Sequence, residues 1–157
     1  MSYIKRKYKL LIAFAIAILY IGCSSSLSGP MFKPVMDIPT DKSVIYLYRP
    51  DDDKNTEFTI TYNNREICVL ENGGYFPFFV EKGKVEISSN ANFKMFVTGL
   101  LQTAGSTDFV FKAEPGKNYY IMCQDAEGSS ELSMKLVPEN FGINNIKECR
   151  LLEPITP

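Results

Sequence analysis

Apolar and polar side chains alternate along most of the chain from Lys42 onward. Val44, Tyr46 and Tyr48 fall on one side of an extended segment, and Phe58, Ile60 and Tyr62 alternate with Thr59 and Thr61. Val85 and Ile87 alternate with Lys84 and Glu86, and Leu132, Met134 and Leu136 alternate with Glu131, Ser133 and Lys135. A period of two carried by β-branched and aromatic residues predicts half-buried strands, because successive strand side chains point to opposite faces. Phe109–Phe111 and Tyr119–Cys123 are more continuously apolar, which predicts strands covered on both faces. Phe76–Val80 is similar, but Pro77 cannot donate to a second ladder, so that strand belongs at an edge or a bulge.

The turn signals fit this reading. Glu81-Lys82-Gly83-Lys84 and Glu114-Pro115-Gly116-Lys117 repeat one device, a glycine at the third turn position that accepts positive φ. Asn63-Asn64-Arg65 and Asn72-Gly73-Gly74 are further turns. A helix is predicted over about Pro138–Leu151, with proline in the first turn, Glu139 at the positive end of the dipole, and Phe141, Ile146 and Cys149 as its apolar stripe. Short strands joined by regular turns predict a mostly β fold, a small antiparallel β-sandwich of about seven to eight strands with one C-terminal helix.

The N-terminal pattern is of another kind. Lys5, Arg6, Lys7 and Lys9 precede an apolar run, Leu10–Ile21, of 12 residues. That order, a basic stretch followed by an apolar run, is the pattern of an export signal, and the run is short of the roughly 20 residues a membrane span takes. Leu19-Tyr20-Ile21-Gly22-Cys23 resembles a bacterial lipobox, with Tyr20 where leucine is usual; the resemblance implies cleavage before Cys23 and its acylation, a palmitate-type anchor. Ser24-Ser25-Ser26-Leu27-Ser28-Gly29-Pro30 reads as a flexible polar tether. The expected organisation is a signal peptide over 1–22, a tether over 23–41 and a β-sandwich domain over 42–157. A soluble secreted protein and an uncleaved anchor are the competing readings of the N-terminus.

Charge and cysteine content sharpen the class. Taking the four basic residues of 1–22 from the chain's 17 leaves 13 Lys and Arg against 18 Asp and Glu, a net charge of −5. Such a module has no electrostatic reason to seek nucleic acid. Cys68, Cys123 and Cys149 would meet an oxidising compartment after export, so a Cys68–Cys123 disulfide competes with the reading of all three as small buried apolar side chains.

The run Val44-Ile45-Tyr46-Leu47-Tyr48-Arg49-Pro50, then Gly73-Gly74-Tyr75-Phe76, Gly83-Lys84 and Pro115-Gly116-Lys117-Asn118-Tyr119-Tyr120, resembles the pattern of domain-of-unknown-function family 2846. The likeness covers roughly Lys42–Leu152. It departs at Asn63-Asn64-Arg65, where the family favours Asp-Gly, at Cys68, at Lys82, and in the longer stretch 90–107. The resemblance implies a small β-sandwich and a bacterial, lipid-anchored address; it implies no activity.

Candidate chemistry is sparse. The chain contains no histidine, which removes the usual triads and the commonest general base. Carboxylate pairs such as Glu66 with Glu71, or Asp125 with Glu127, have no spacing that singles them out, and the chain reads as no enzyme. Asp51-Asp52-Asp53 with Asn55 is the densest oxygen cluster, but it lacks the glycine and distal glutamate of an EF-hand and reads as a solvated loop; no metal and no cofactor is expected. Met95, Phe96, Val97, Leu100 and Leu101 form an apolar stretch within a connection, the candidate interaction loop for a protein partner in the envelope. Tyr46, Tyr48, Arg49, Tyr119 and Tyr120 form the candidate ligand face, because tyrosine rings stack on sugars. The expected function is a non-catalytic interaction module, lipid-anchored in the bacterial envelope, with a small-ligand or glycan-binding module as the alternative. Ser24 stands where an aspartate commonly retains lipoproteins in the inner membrane, so the outer membrane, facing the periplasm, is the expected address.

Overall fold

The computed structural model describes residues 27–52, 56–92, 106–126 and 131–156. Two sheets face each other, as the alternation predicts. In chain order the strands are β1 (Lys42–Tyr48), β2 (Glu57–Tyr62), β3 (Arg65–Leu70), β4 (Gly74–Glu81), β5 (Gly83–Asn92), β6 (Ser106–Ala113), β7 (Asn118–Asp125) and β8 (Leu132–Val137). Helix α1 (Glu139–Ile146) and a short β9 (Arg150–Leu151) complete the fold. One sheet has the order β8-β7-β1-β4-β9 and the other β3-β2-β5-β6.

Most pairings are antiparallel, but β1 runs parallel to β7 and β4 parallel to β9, so the five-stranded sheet is mixed where an all-antiparallel sandwich was expected. β1 is its central strand, and every residue from Ser43 to Tyr48 is buried. Inward residues of both sheets form the main core: Ile45, Leu47, Phe76, Val80, Ile121 and Cys123 meet Phe58, Ile60, Cys68, Leu70, Val85 and Ile87.

Local chemistry explains the connections. Asn63 and Asn64 both take positive φ, 50° and 59°, which a two-residue hairpin with primed geometry requires. Gly83 and Gly116 sit at φ 135° and 69°, as their turn sequences predict. Pro77 is tolerated because β9 pairs only with Gly74 and Tyr75, which leaves β4 an edge beyond them. By contrast, β6 is an edge strand with Val110 half exposed, so Phe109–Phe111 is not covered on both faces as its composition suggested. Tyr119–Cys123, on the interior strand β7, is largely buried on both.

The helix is shorter than expected. It ends at Ile146, and Arg150–Leu151 form a strand beside β4. Its inward contact is not Phe141, which is exposed, but Gly142, where a Cβ would stand 2.4 Å from the Tyr120 side chain. Ile146 and Cys149 complete the buried side.

The expected tether over 23–41 also needs correction. From Leu27 onward the chain lies on the fold: Leu27 packs against the main core, and Phe32, Val35 and Ile38 pack on the outer face of the five-stranded sheet. The Phe32 N–H donates to the Cys149 carbonyl at 3.1 Å, and the Leu151 N–H donates to the Pro30 carbonyl at 2.9 Å. This strap descends from the Tyr48 end of β1 to its Lys42 end.

Registers sort the connections between two ends. Tyr48 lies opposite Tyr75 and Met122, Phe58 opposite Leu70, and Asn90 opposite Ser106. The C-terminal ends of β1, β3, β5 and β7 therefore share one end of the sandwich, the loop end. Those of β2, β4 and β6 share the other, marked by Asn64, Gly83 and Gly116.

Candidate functional site

Three parts of the fold gather the chemistry-bearing residues. The first is the outer face of the five-stranded sheet. Tyr46, Tyr48 and Tyr120 project there with Val44, Tyr75 and Val137, and none of the three tyrosines is more than 2% exposed. Tyr46 stacks on Tyr120 with centroids 5.0 Å apart, and Phe32 meets the edges of Tyr46 and Tyr75 at 5.4 and 5.3 Å. The Val35 N–H donates to the Tyr46 hydroxyl at 2.9 Å. The candidate ligand face is thus closed beneath the strap and α1; it is a second core. Tyr119 points the other way from β7. Its ring meets Phe111 at 5.0 Å, and its hydroxyl accepts from the Glu114 N–H at 2.8 Å.

Burial sets the acid–base state of this face. Desolvation pushes the Tyr46, Tyr48, Tyr75 and Tyr120 hydroxyls up, Tyr120 to about 12. They stay protonated at neutral pH.

The second part is the Arg49 cluster at the loop end. Arg49 follows β1 in the inward register of Ile45 and Leu47, and its side chain is fully buried. One guanidinium nitrogen stands 2.8 Å from the Asp125 carboxylate and 3.3 Å from that of Asp52. Another donates to the Thr56 carbonyl, and the guanidinium lies 5.5 Å from the Phe58 ring centroid. Asp125 shares the inward face of β7 with Ile121 and Cys123, so the parallel β1–β7 pairing delivers the partner. Beside it, Asn72 holds the first turn of the β1–β2 connection: its amide donates to Asp51 at 2.6 Å and accepts from the Asp52 N–H at 3.1 Å. Arg49 is thus an internal plug that closes the core with a charge pair. Asp51 and Asp52 form a hydrogen-bonded loop, while Asp53 and Asn55 lie outside the described residues. Among the described residues no group of three or more His, Cys, Asp or Glu is arranged to hold a metal ion.

The third part is a groove of ≈ 540 Å³ where the two ends of the described chain meet. Leu27–Pro30 form one wall, Leu151–Glu153 with Ile155 another, and Val69 and Glu71 at the β3 edge the third. The C-terminal stretch covers that edge: Cys68 pairs with Pro154, and the Ile155 N–H donates to the Ile67 carbonyl at 3.0 Å. The sequence gives little sign of this groove, because its walls come from segments without strand or helix periodicity.

Cys68, Cys123 and Cys149 are free, buried thiols, so the considered Cys68–Cys123 bridge is not formed. Desolvation pushes Cys68 and Cys149 up to about 12 and Cys123 higher still. As neutral thiols they fill the interior as apolar groups would. Cys23, the signal segment 1–22, and the candidate interaction residues Met95, Phe96, Val97, Leu100 and Leu101 lie outside the described residues. The strand ends that flank the latter, Asn92 and Ser106, are at the loop end with Arg49. Among the described residues no helix is long and apolar enough to cross a membrane.

Residues 39–135 match the model of a family described as a protein of unknown function, DUF2846. The match spans more than half of the chain, which therefore belongs to that family. No curated protein and no solved structure matches.

Proposed function

We propose that this member of the DUF2846 family is a bacterial lipoprotein: an exported β-sandwich, anchored to the envelope through an acylated Cys23, that serves as a non-catalytic interaction module. The observation that carries the reading is the position of Leu27. It packs against the main core, and only Ser24, Ser25 and Ser26 separate it from Cys23. A fold that begins so soon after a lipobox-like cysteine suits a protein meant to be held at a bilayer. The basic stretch and short apolar run ahead of Cys23 are the export signal in this reading.

The non-catalytic part rests on where the reactive groups go. Arg49 pairs with the Asp125 and Asp52 carboxylates, the tyrosines build a second core, and the thiols are desolvated. The glycan alternative depended on an open tyrosine face, and that face is filled. The module works in the periplasm at the outer membrane, where its mildly acidic surface meets an envelope protein.

Metabolic labelling with a palmitate analogue tests the anchor. Wild type takes up label and fractionates with membranes, whereas Cys23→Ala does neither. Label retained in Cys23→Ala overturns the assignment.

A further inference from the structure

The chain-end groove, the Arg49 cluster and the Leu27 anchoring point all belong to one end of the sandwich. Leu151, whose N–H donates to the Pro30 carbonyl of the strap, lies opposite Tyr75 at the start of β4, and Tyr75 lies opposite Tyr48 at the end of β1. The strap therefore enters the fold at the loop end and leaves it at the other. We infer that the short link to Cys23 fixes the orientation of the domain, seating the loop end, with Asp51, Asn72, Gly73 and the chain-end groove, against the headgroup surface of a lipid bilayer. This rests on the acylation of Cys23 proposed above.

The geometry is restrictive. A fully extended chain advances at most about 3.6 Å per residue, so Leu27 stands within about 14 Å of the Cys23 backbone. β1 has seven residues, and at about 3.3 Å each it sets the Gly83 and Gly116 end on the order of 23 Å farther away. The link is thus shorter than the domain. With Leu27 held by packing, the far end cannot turn to the surface without peeling the strap from Tyr46 and Tyr75.

The surface chemistry selects the lipid. Asp51 is exposed at this end and Glu71 and Glu153 line the groove, so carboxylates outnumber the exposed Arg150 beside Gly29. Anionic lipid would repel these groups within a Debye length of about 8 Å at physiological ionic strength. A zwitterionic headgroup layer is the surface that fits.

The test uses the full acylated chain in phosphatidylcholine nanodiscs carrying a nitroxide-headgroup lipid, with amide resonances read by NMR. Amides of Asp51, Asn72 and Gly73 broaden strongly, and those of Gly83 and Gly116 keep their intensity. Equal broadening at both ends, or stronger broadening at Gly83 and Gly116, overturns the orientation while leaving the anchor intact. A purified chain whose mass lacks the acyl groups overturns both. A variant with a sixteen-residue Gly-Ser insert between Ser26 and Leu27, which adds a mean reach of about 22 Å, loses the gradient while its strand resonances stay in place. A gradient that survives the insert shows that the link does not set the orientation.

Discussion

The two faces of β1 are buried to the same degree by different means. The inward face, Ile45 and Leu47, packs against a second sheet, strand against strand. The outward face, Val44, Tyr46 and Tyr48, packs under an eight-residue helix and a strap without regular secondary structure. The inner core is built mainly from aliphatic and phenylalanine side chains, whereas the outer one centres on four tyrosines whose hydroxyls need partners or bear the cost of lacking one. A sheet face that a sequence presents as a binding platform becomes a structural core when flanking segments fold back over it.

If the outer face is a true core, its truncation matches that of the inner one. Tyr46→Ala is expected to cost about 3–5 kcal/mol and Leu47→Ala about 2–5 kcal/mol in urea unfolding. A loss below about 1 kcal/mol for Tyr46→Ala would mark a loosely covered surface. Arg49→Ala probes the polar plug of the inner core. It takes the cation away from Asp125, whose side chain is 10% exposed, and is expected to cost about 3–5 kcal/mol.

Alkaline pH weighs both cores at once. Cys68 inside and Cys149 outside are each pushed from 9.0 to about 12. Between those values the unfolded thiols have lost their protons and the folded ones have not. The folded state then binds more protons, and stability falls as pH rises. Each thiol contributes a slope of about 1.4 kcal/mol per pH unit. Cys68→Ala and Cys149→Ala are expected to flatten the decline of melting temperature between pH 9 and 11 to a similar extent.

Smaller effects separate contacts within the outer face. Gly142→Ala drives a methyl into Tyr120 and is expected to cost about 1–3 kcal/mol by thermal unfolding. Tyr46→Phe leaves the Val35 N–H without its acceptor and is expected to cost about 1 kcal/mol. The Tyr48 hydroxyl has no partner among the described residues, so Tyr48→Phe is expected to be neutral or slightly stabilising in the same assay.

The inner core was legible in the sequence where period two survives: Val85 and Ile87, or Phe58 and Ile60, needed no partner to be read. The outer cover was not. Phe32, Val35 and Ile38 recur every three residues among Pro30, Pro34 and Pro39, the period of an extended polyproline-like turn rather than of a strand or helix. Gly142 carries no apolar signal at all, yet it is what lets α1 approach Tyr120. The Arg49–Asp125 pair joins residues far apart in sequence through a parallel pairing that no local pattern announces. In sequence Arg49 reads as part of the tyrosine face; its pairing depends on where β7 lies.

Amide hydrogen exchange at Phe32 and Val35 tests the central claim most directly, that the fold begins a few residues after Cys23 and closes the tyrosine face. The account predicts protection at both positions close to that of Ile45 and Leu47 in β1, lost only with global unfolding. Exchange at the rate of a free peptide, with β1 still protected, would contradict it.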